Sequence, residues 1–103
     1  MEEKNYYTYL LLTENNTYYC GYTDDIARRY KNHIIGVGAK YTRANKPKKI
    51  AFLENFSTKS EAMKEECRIK RLSRKAKEDL VQNFSKMLPK MFCLAEKISF
   101  QYS

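Results

Sequence analysis

A chain of 103 residues, 43% hydrophobic and 31% charged, describes one ordered domain and excludes two domains, a large barrel or a disordered polymer. Twenty Lys and Arg against twelve Asp and Glu leave a net charge of +8, which directs attention to polyanionic partners. No run approaches the roughly 18 apolar residues of a membrane span, and the opening MEEKNYY lacks the basic and apolar parts of a signal sequence.

Residues Tyr6 to Leu12 (YYTYLLL) are aromatic and aliphatic, too short for a helix, and read as a strand. Glu14-Asn15-Asn16 is turn chemistry, and Thr17 to Tyr22 (TYYCGY) reads as the return strand of a hairpin. Thr23-Asp24-Asp25 supplies caps and first-turn acids for a helix running to about Ile35, which Gly36 and Gly38 stop. Gly36 to Lys49 is expected to be a basic loop closed by Pro47, and Ile50 to Phe56 (IAFLENF) a third strand. Ser57 or Ser60 caps a second long helix through about Leu72, and Ser73 starts another to about Phe84. This order predicts an α+β fold with a mostly antiparallel sheet. The expected domain spans residues 1–83; residues 84–103 are a tail, apolar in patches and interrupted by Pro89, to which the pattern assigns no structure.

Charge is clustered along the chain. Lys40, Arg43, Lys46, Lys48 and Lys49 form a block without acids, and Lys64, Arg68, Lys70, Arg71, Arg74, Lys75 and Lys77 form a second with acids interspersed. Such blocks attract polyanions through displaced counterions, although a lysine-rich surface also serves solubility alone. Cys20, Cys67 and Cys93 are odd in number and unpaired in spacing. Neither a zinc site nor a disulfide framework is expected, and the cytoplasm is the expected location.

Helical periodicity sorts the polar residues further. On the first helix Ile26, Ala27, Tyr30 and Ile34 form the expected buried stripe, with Arg29 and His33 along one edge and Arg28 on the opposite, solvated side. On the second long helix Ala62, Glu66 and Ile69 share a face, with Met63 and Leu72 on its flanks. Glu66 falls mid-stripe, where a carboxylate is costly unless an Arg or Lys pairs with it or a hard cation binds it. Glu65, at the edge of that face, is the alternative ligand and is expected to be solvated. Tyr7, Tyr9 and Leu11 share one face of the first strand; on the second, Tyr19 alternates with Cys20, and Gly21 leaves a gap. These tyrosines serve either as cross-strand aromatic pairs or as hydroxyls that orient water or take a proton.

The order Tyr7-Thr8-Tyr9, a turn, Tyr19-Cys20-Gly21, then Asp25 to His33 (DIARRYKNH), then a helical glutamate, resembles the GIY-YIG nuclease superfamily. More narrowly, Gly36 to Arg43 (GVGAKYTR) and Glu66 to Arg74 (ECRIKRLSR) resemble the small stand-alone bacterial members of the YhbQ/YazA type (UPF0213). The likeness covers roughly residues 6–82. It implies a three-stranded antiparallel sheet flanked by helices, and hydrolysis of a phosphodiester with one divalent cation. Under it, Tyr9 and Tyr19 take the places of the motif tyrosines, Arg29 that of the superfamily arginine, His33 that of the residue one turn later, and Glu66 that of the metal-binding glutamate. Tyr7 stands where the first motif has glycine, and Cys20 where the second has isoleucine. Neither position supplies a reacting group, so the departures bear on substrate fit.

The chemistry implied is an endonuclease acting on DNA with little sequence specificity. Arg29 would stabilise the phosphate, Glu66 would hold one Mg²⁺ or Mn²⁺ ion, and Tyr9, or failing it His33, would deprotonate the water. Tyr19 would order the water or phosphate, and the Lys40–Lys49 block would grip the backbone without reading bases. Branched or nicked DNA and RNA remain open as substrates. Two other classes stay open: a nucleic-acid-binding module with weak or partner-dependent cleavage, and an interaction protein using the apolar tail, for instance as a homodimer.

Overall fold

β1 (Tyr6–Thr13) and β2 (Tyr18–Thr23) form the hairpin in the computed structural model, which describes residues 4–103. Aromatic and aliphatic side chains alternating across a covered ribbon favour this extended backbone. The turn passes through Asn16, whose φ of 60° lies in the left-handed region that asparagine tolerates. β3 (Pro47–Phe56) pairs antiparallel with β1, so the sheet order is β2-β1-β3 and β2 and β3 are its edges. The α+β architecture, with a three-stranded antiparallel sheet flanked by helices, is thus present.

Register sorts the side chains onto two faces. Tyr9 stands between Gly21 and Leu53, and Leu10 stands between Cys20 and Phe52 on the opposite face. The helix α1 (Ile26–Ile34) and the short α2 (Lys40–Ala44) lie on the Tyr9 face, where Tyr9 meets His33 and His33 meets Thr42. On the other face lies α3 (Lys59–Lys70), fixed by the Thr8 hydroxyl, which donates to the Ala62 carbonyl at 2.7 Å. α4 (Arg74–Met87) packs Phe84 against Phe52 on that side, and α5 (Pro89–Gln101) runs beside β3.

Several boundaries differ from the sequence expectation, each for a local reason. The stretch expected as a loop holds α2, and β3 begins at Pro47 instead of Ile50 because Leu12 and Thr13 extend the β1 ladder to Lys49 and Pro47. α3 is capped by Thr58, whose hydroxyl accepts the Glu61 N–H, so neither Ser57 nor Ser60 is the cap. On α1 the inward residues are Ile26, Tyr30 and His33, an i, i+4, i+7 set that turns Ala27 out to solvent. Gly36, at φ 85°, ends the chain's run after α1.

Residues 84–103 are not a separate appendage. The boundary drawn at residue 83 falls inside α4, and Phe84, Ala95 and Ile98 belong to the same core as Leu10, Leu53 and Ile69. Phe84 packs on Phe92 of α5, while Tyr30 of α1 packs on Tyr102 just beyond it. α5 therefore covers the β3 edge, and the Ser99 hydroxyl accepts the Ile50 N–H at 2.9 Å. Phe100 stays 82% exposed. Among the described residues no helix is long and apolar enough to cross a membrane.

Candidate active site

Gly21 creates the opening in which the site forms. A Cβ at this position would lie 2.5 Å from the Tyr9 hydroxyl oxygen, so the ring of Tyr9 can cross β2 only where a side chain is missing. There the Tyr9 hydroxyl meets two groups from one edge of α1: Nε2 of His33 at 2.8 Å and Nε of Arg29 at 3.4 Å. These α1 residues are four apart and share an edge of the helix. Gly38 plays the same part for His33, because a Cβ there would stand 2.6 Å from Nδ1.

Behind His33 lies a residue that the sequence analysis did not single out. Thr42, fully buried on α2, places its hydroxyl oxygen 2.7 Å from His33 Nδ1 and donates to the Ala39 carbonyl at 3.2 Å. Because its only proton goes to Ala39, Thr42 accepts the Nδ1–H of His33. Nε2 is then the bare nitrogen and accepts the Tyr9 proton. The hydrogen bonds run in one sense, from Arg29 through Tyr9, His33 and Thr42 to Ala39. Thr42 lies within the GVGAKYTR stretch, so its signal was present in the motif without its role.

Protonation follows from placement. Burial, then the nearby Arg29 charge, lowers the His33 pKa to about 4, so the ring is neutral near pH 7. Burial raises the Tyr9 pKa well above the ordinary phenol, with Arg29 opposing it, so Tyr9 keeps its proton at rest. Burial works against the Arg29 charge as well, but the hydroxyls of Tyr9 and Tyr19 outweigh it and raise its pKa. Tyr19 packs edge-on to His33 with centroids 5.2 Å apart and stacks on Tyr41 at 6.1 Å.

Glu66 reaches the same edge from the other face. The Cys20 thiol lies 3.9 Å from the Glu66 carbonyl oxygen, and the Glu66 carboxylate pairs with Lys70 at 3.3 Å. Glu66 is not mid-stripe: Ala62 and Ile69 are the buried pair, and the two glutamates straddle their line. Their side chains are similarly covered, Glu65 at 15% and Glu66 at 17% exposed, so Glu65 is not solvated. Glu65 instead faces Arg68 at 2.5 Å and lies beside Glu54 of β3. No hydrogen bond or ion pair among the described residues joins Glu66 to Tyr9, Arg29 or His33.

The basic residues are divided. Lys40 and Arg43 ride on α2 beside Thr42, whereas Lys48 and Lys49 belong to β3, on the far side of β1 from β2. Lys46 lies between them, its carbonyl accepting the Glu14 N–H. Arg28 is 68% exposed and pairs with Asp24 and Asp25, yet it lines the same groove as Arg29 instead of facing away from it.

A family model described as the GIY-YIG catalytic domain matches residues 5–79. A UPF0213 protein of Bacillus velezensis is 46% identical over 82 residues, covering 80% of this chain and 83% of that one. The UPF0213 protein YazA of Bacillus subtilis is 46% identical over 78 residues, covering 76% and 79%. Among solved structures, the UPF0213 protein of Bacillus halodurans shares 45% identity at a TM-score of 0.50, covering 76% of this chain and 83% of that chain. A protein of E. faecalis shares 41% identity at a TM-score of 0.55, covering 82% and 91%.

Proposed function

This chain belongs to the GIY-YIG catalytic-domain family, and on that premise we propose that it is an endonuclease hydrolysing phosphodiester bonds of DNA. The observation that carries the reading is the directed chain Arg29–Tyr9–His33–Thr42 at the open edge of β2. Phosphodiester hydrolysis needs a water deprotonated as it attacks and donors for the phosphoryl oxygens. Tyr9 meets the first need only by a relay, since its raised pKa forbids a resting phenolate. The attacking water gives its proton to the Tyr9 oxygen while Tyr9 passes its own to Nε2 of neutral His33. Arg29 keeps its remaining N–H donors for the phosphate, and Tyr19 orders water or phosphate beside it.

A divalent cation is part of this reading, and the donor chemistry limits which one. No group of three or more His, Cys, Asp or Glu among the described residues could enclose a metal. Glu66 offers one partly covered, hard carboxylate, which suits Mg²⁺ or Mn²⁺, ions that retain several waters, and does not suit zinc. When bound, the ion supplies positive charge to the phosphate and the leaving oxygen. Lys40, Arg43, Lys46, Lys48 and Lys49 are proposed to contact the phosphate backbone, which carries no base information and gives little sequence specificity. The Glu66–Lys70 pair favours a second reading, a nucleic-acid-binding module whose cleavage is weak alone, because the ion must displace Lys70.

Plasmid nicking with Mg²⁺ or Mn²⁺, against a chelated control, tests the reading. Arg29→Ala should slow nicking by roughly 10²–10³, the cost of one transition-state donor. Glu66→Gln should slow it by removing the carboxylate charge that holds the ion, while Glu65→Gln nicks at a rate near that of the wild type. No metal-dependent nicking by the wild type sinks the nuclease reading. Loss of activity in Glu65→Gln but not in Glu66→Gln moves the ligand back one residue.

A further inference from the structure

Beside Arg29 the surface opens into a groove of about 650 Å³ whose lining includes Lys4, Tyr22, Arg28, Arg29, Asn32 and Lys59. These residues come from the segment just before β1, the end of β2, α1 and the first turn of α3. Four cations meet one lining carboxylate, Asp24, which already pairs with Lys4 at 3.2 Å and Arg28 at 3.8 Å. Among the described residues Arg29 and Lys59 form no ion pair. A cleft with this surplus of positive charge concentrates a polyanion.

We propose that this groove binds the nucleic-acid strand continuing from the scissile phosphate, holding the next phosphate on Lys4, Arg28 and Lys59 and one unpaired base against Tyr22. The inference rests on the nuclease reading above, because Arg29 is the residue that joins the two: its Nε reaches Tyr9 and its side chain walls the groove. Cations interleaved with aromatic rings hold single strands, the cations along the backbone and the rings against the base faces. Tyr22 is half-buried inside the cleft. Its ring cannot reach a base whose faces are already covered by duplex neighbours, so the base it stacks on must be unpaired. Asn32 offers an amide for that base's edge.

The test uses the full chain in chelator, so that binding is read without cleavage. A fluorescent blunt duplex is compared with the same duplex carrying a single-stranded thymidine tail, over a series of salt concentrations. The tailed duplex should bind at least about fivefold tighter, the lower end expected for one stacked base. Tyr22→Leu should abolish that preference and Tyr22→Phe should keep it, with thermal unfolding monitored for both. Lys4→Gln with Lys59→Gln should flatten the salt dependence by roughly one unit per lost phosphate contact. The charge-matched Lys86→Gln with Lys90→Gln, on α4 and α5 away from the groove, should not. Equal binding of tailed and blunt duplexes by the wild type overturns the proposal, as do groove variants that behave like the Lys86/Lys90 pair. Metal-dependent nicking separates the two readings. If nicking occurs while groove variants are indifferent, the groove fails alone; a Tyr22-dependent tail preference without nicking means that the nuclease reading fails alone.

Discussion

Thr42 has one hydroxyl proton, and giving it to Ala39 decides what His33 can do. Thr42→Val keeps the shape but leaves the buried Nδ1–H without an acceptor, a loss of about 1–3 kcal/mol. The ring can relieve this only by moving its proton to Nε2, which faces Tyr9 and then no longer accepts. Nitrogen NMR of His33 should show the Nδ1–H form in wild type and its loss in Thr42→Val, with slower cleavage; Thr42→Ser should restore both. An unchanged tautomer in Thr42→Val would disprove the relay as drawn. The lowered pKa of His33 adds a pH signature. Since the neutral ring is the acceptor, cleavage should lose its His33 dependence only as pH falls through about 4. Stability responds earlier. The unfolded histidine takes up a proton near 6.5 while the folded one resists to about 4, so its contribution is complete above 6.5 and lost between those values on acidification. A chemical-denaturation series over that interval, wild type against His33→Gln, reads the difference directly.

Among the elements, α3 shows how a helix can carry two acids at a sheet without burying either fully. Its line of contact runs through Ala62 and Ile69, which leaves Glu65 and Glu66 on opposite shoulders. Glu66 turns toward β2 and Lys70, while Glu65 turns toward β3, Arg68 and Glu54. Burial, then the hydrogen bond to Glu65 and its charge, raises the Glu54 pKa to about 7. The other element with a distinct task is α5. It closes the β3 edge, where an exposed row of N–H and C=O groups would invite pairing with another chain. Ser99→Ala removes the acceptor of the Ile50 N–H and should cost about 1–3 kcal/mol in urea unfolding. A loss no larger than that of an exposed substitution, such as Glu96→Ala, would show that the edge is satisfied without it.

Across the whole molecule, positive charge does not follow the order in which it is spelled. Lys40 and Arg43 stay near the site because α2 delivers Thr42 to His33, while Lys48 and Lys49 are carried past β1 to the opposite edge. The salt dependence of DNA binding should divide them. Lys40→Gln with Arg43→Gln should lower the slope by roughly one unit per lost phosphate contact, and Lys48→Gln with Lys49→Gln by less. The reverse order would place the strand along the β3 edge and against the account given for Arg29.

The three strands, the hairpin, the helices α1, α3 and α4, and the shared edge of Arg29 and His33 on α1 were legible in the sequence. Alternation, caps and helical spacing are set by neighbours a few residues apart, and the family motifs preserve those spacings. The relation of Arg29 to His33, four residues apart on one helix, was of this kind. Only the tertiary structure brought Thr42 behind His33, turned Glu65 and Glu66 to opposite shoulders, and laid α5 over the β3 edge. It alone gathered Lys4, Arg28, Arg29 and Lys59 into one groove. No period in the chain links such residues: their proximity depends on how separately formed elements bury their apolar faces against one sheet, a property of the packing as a whole.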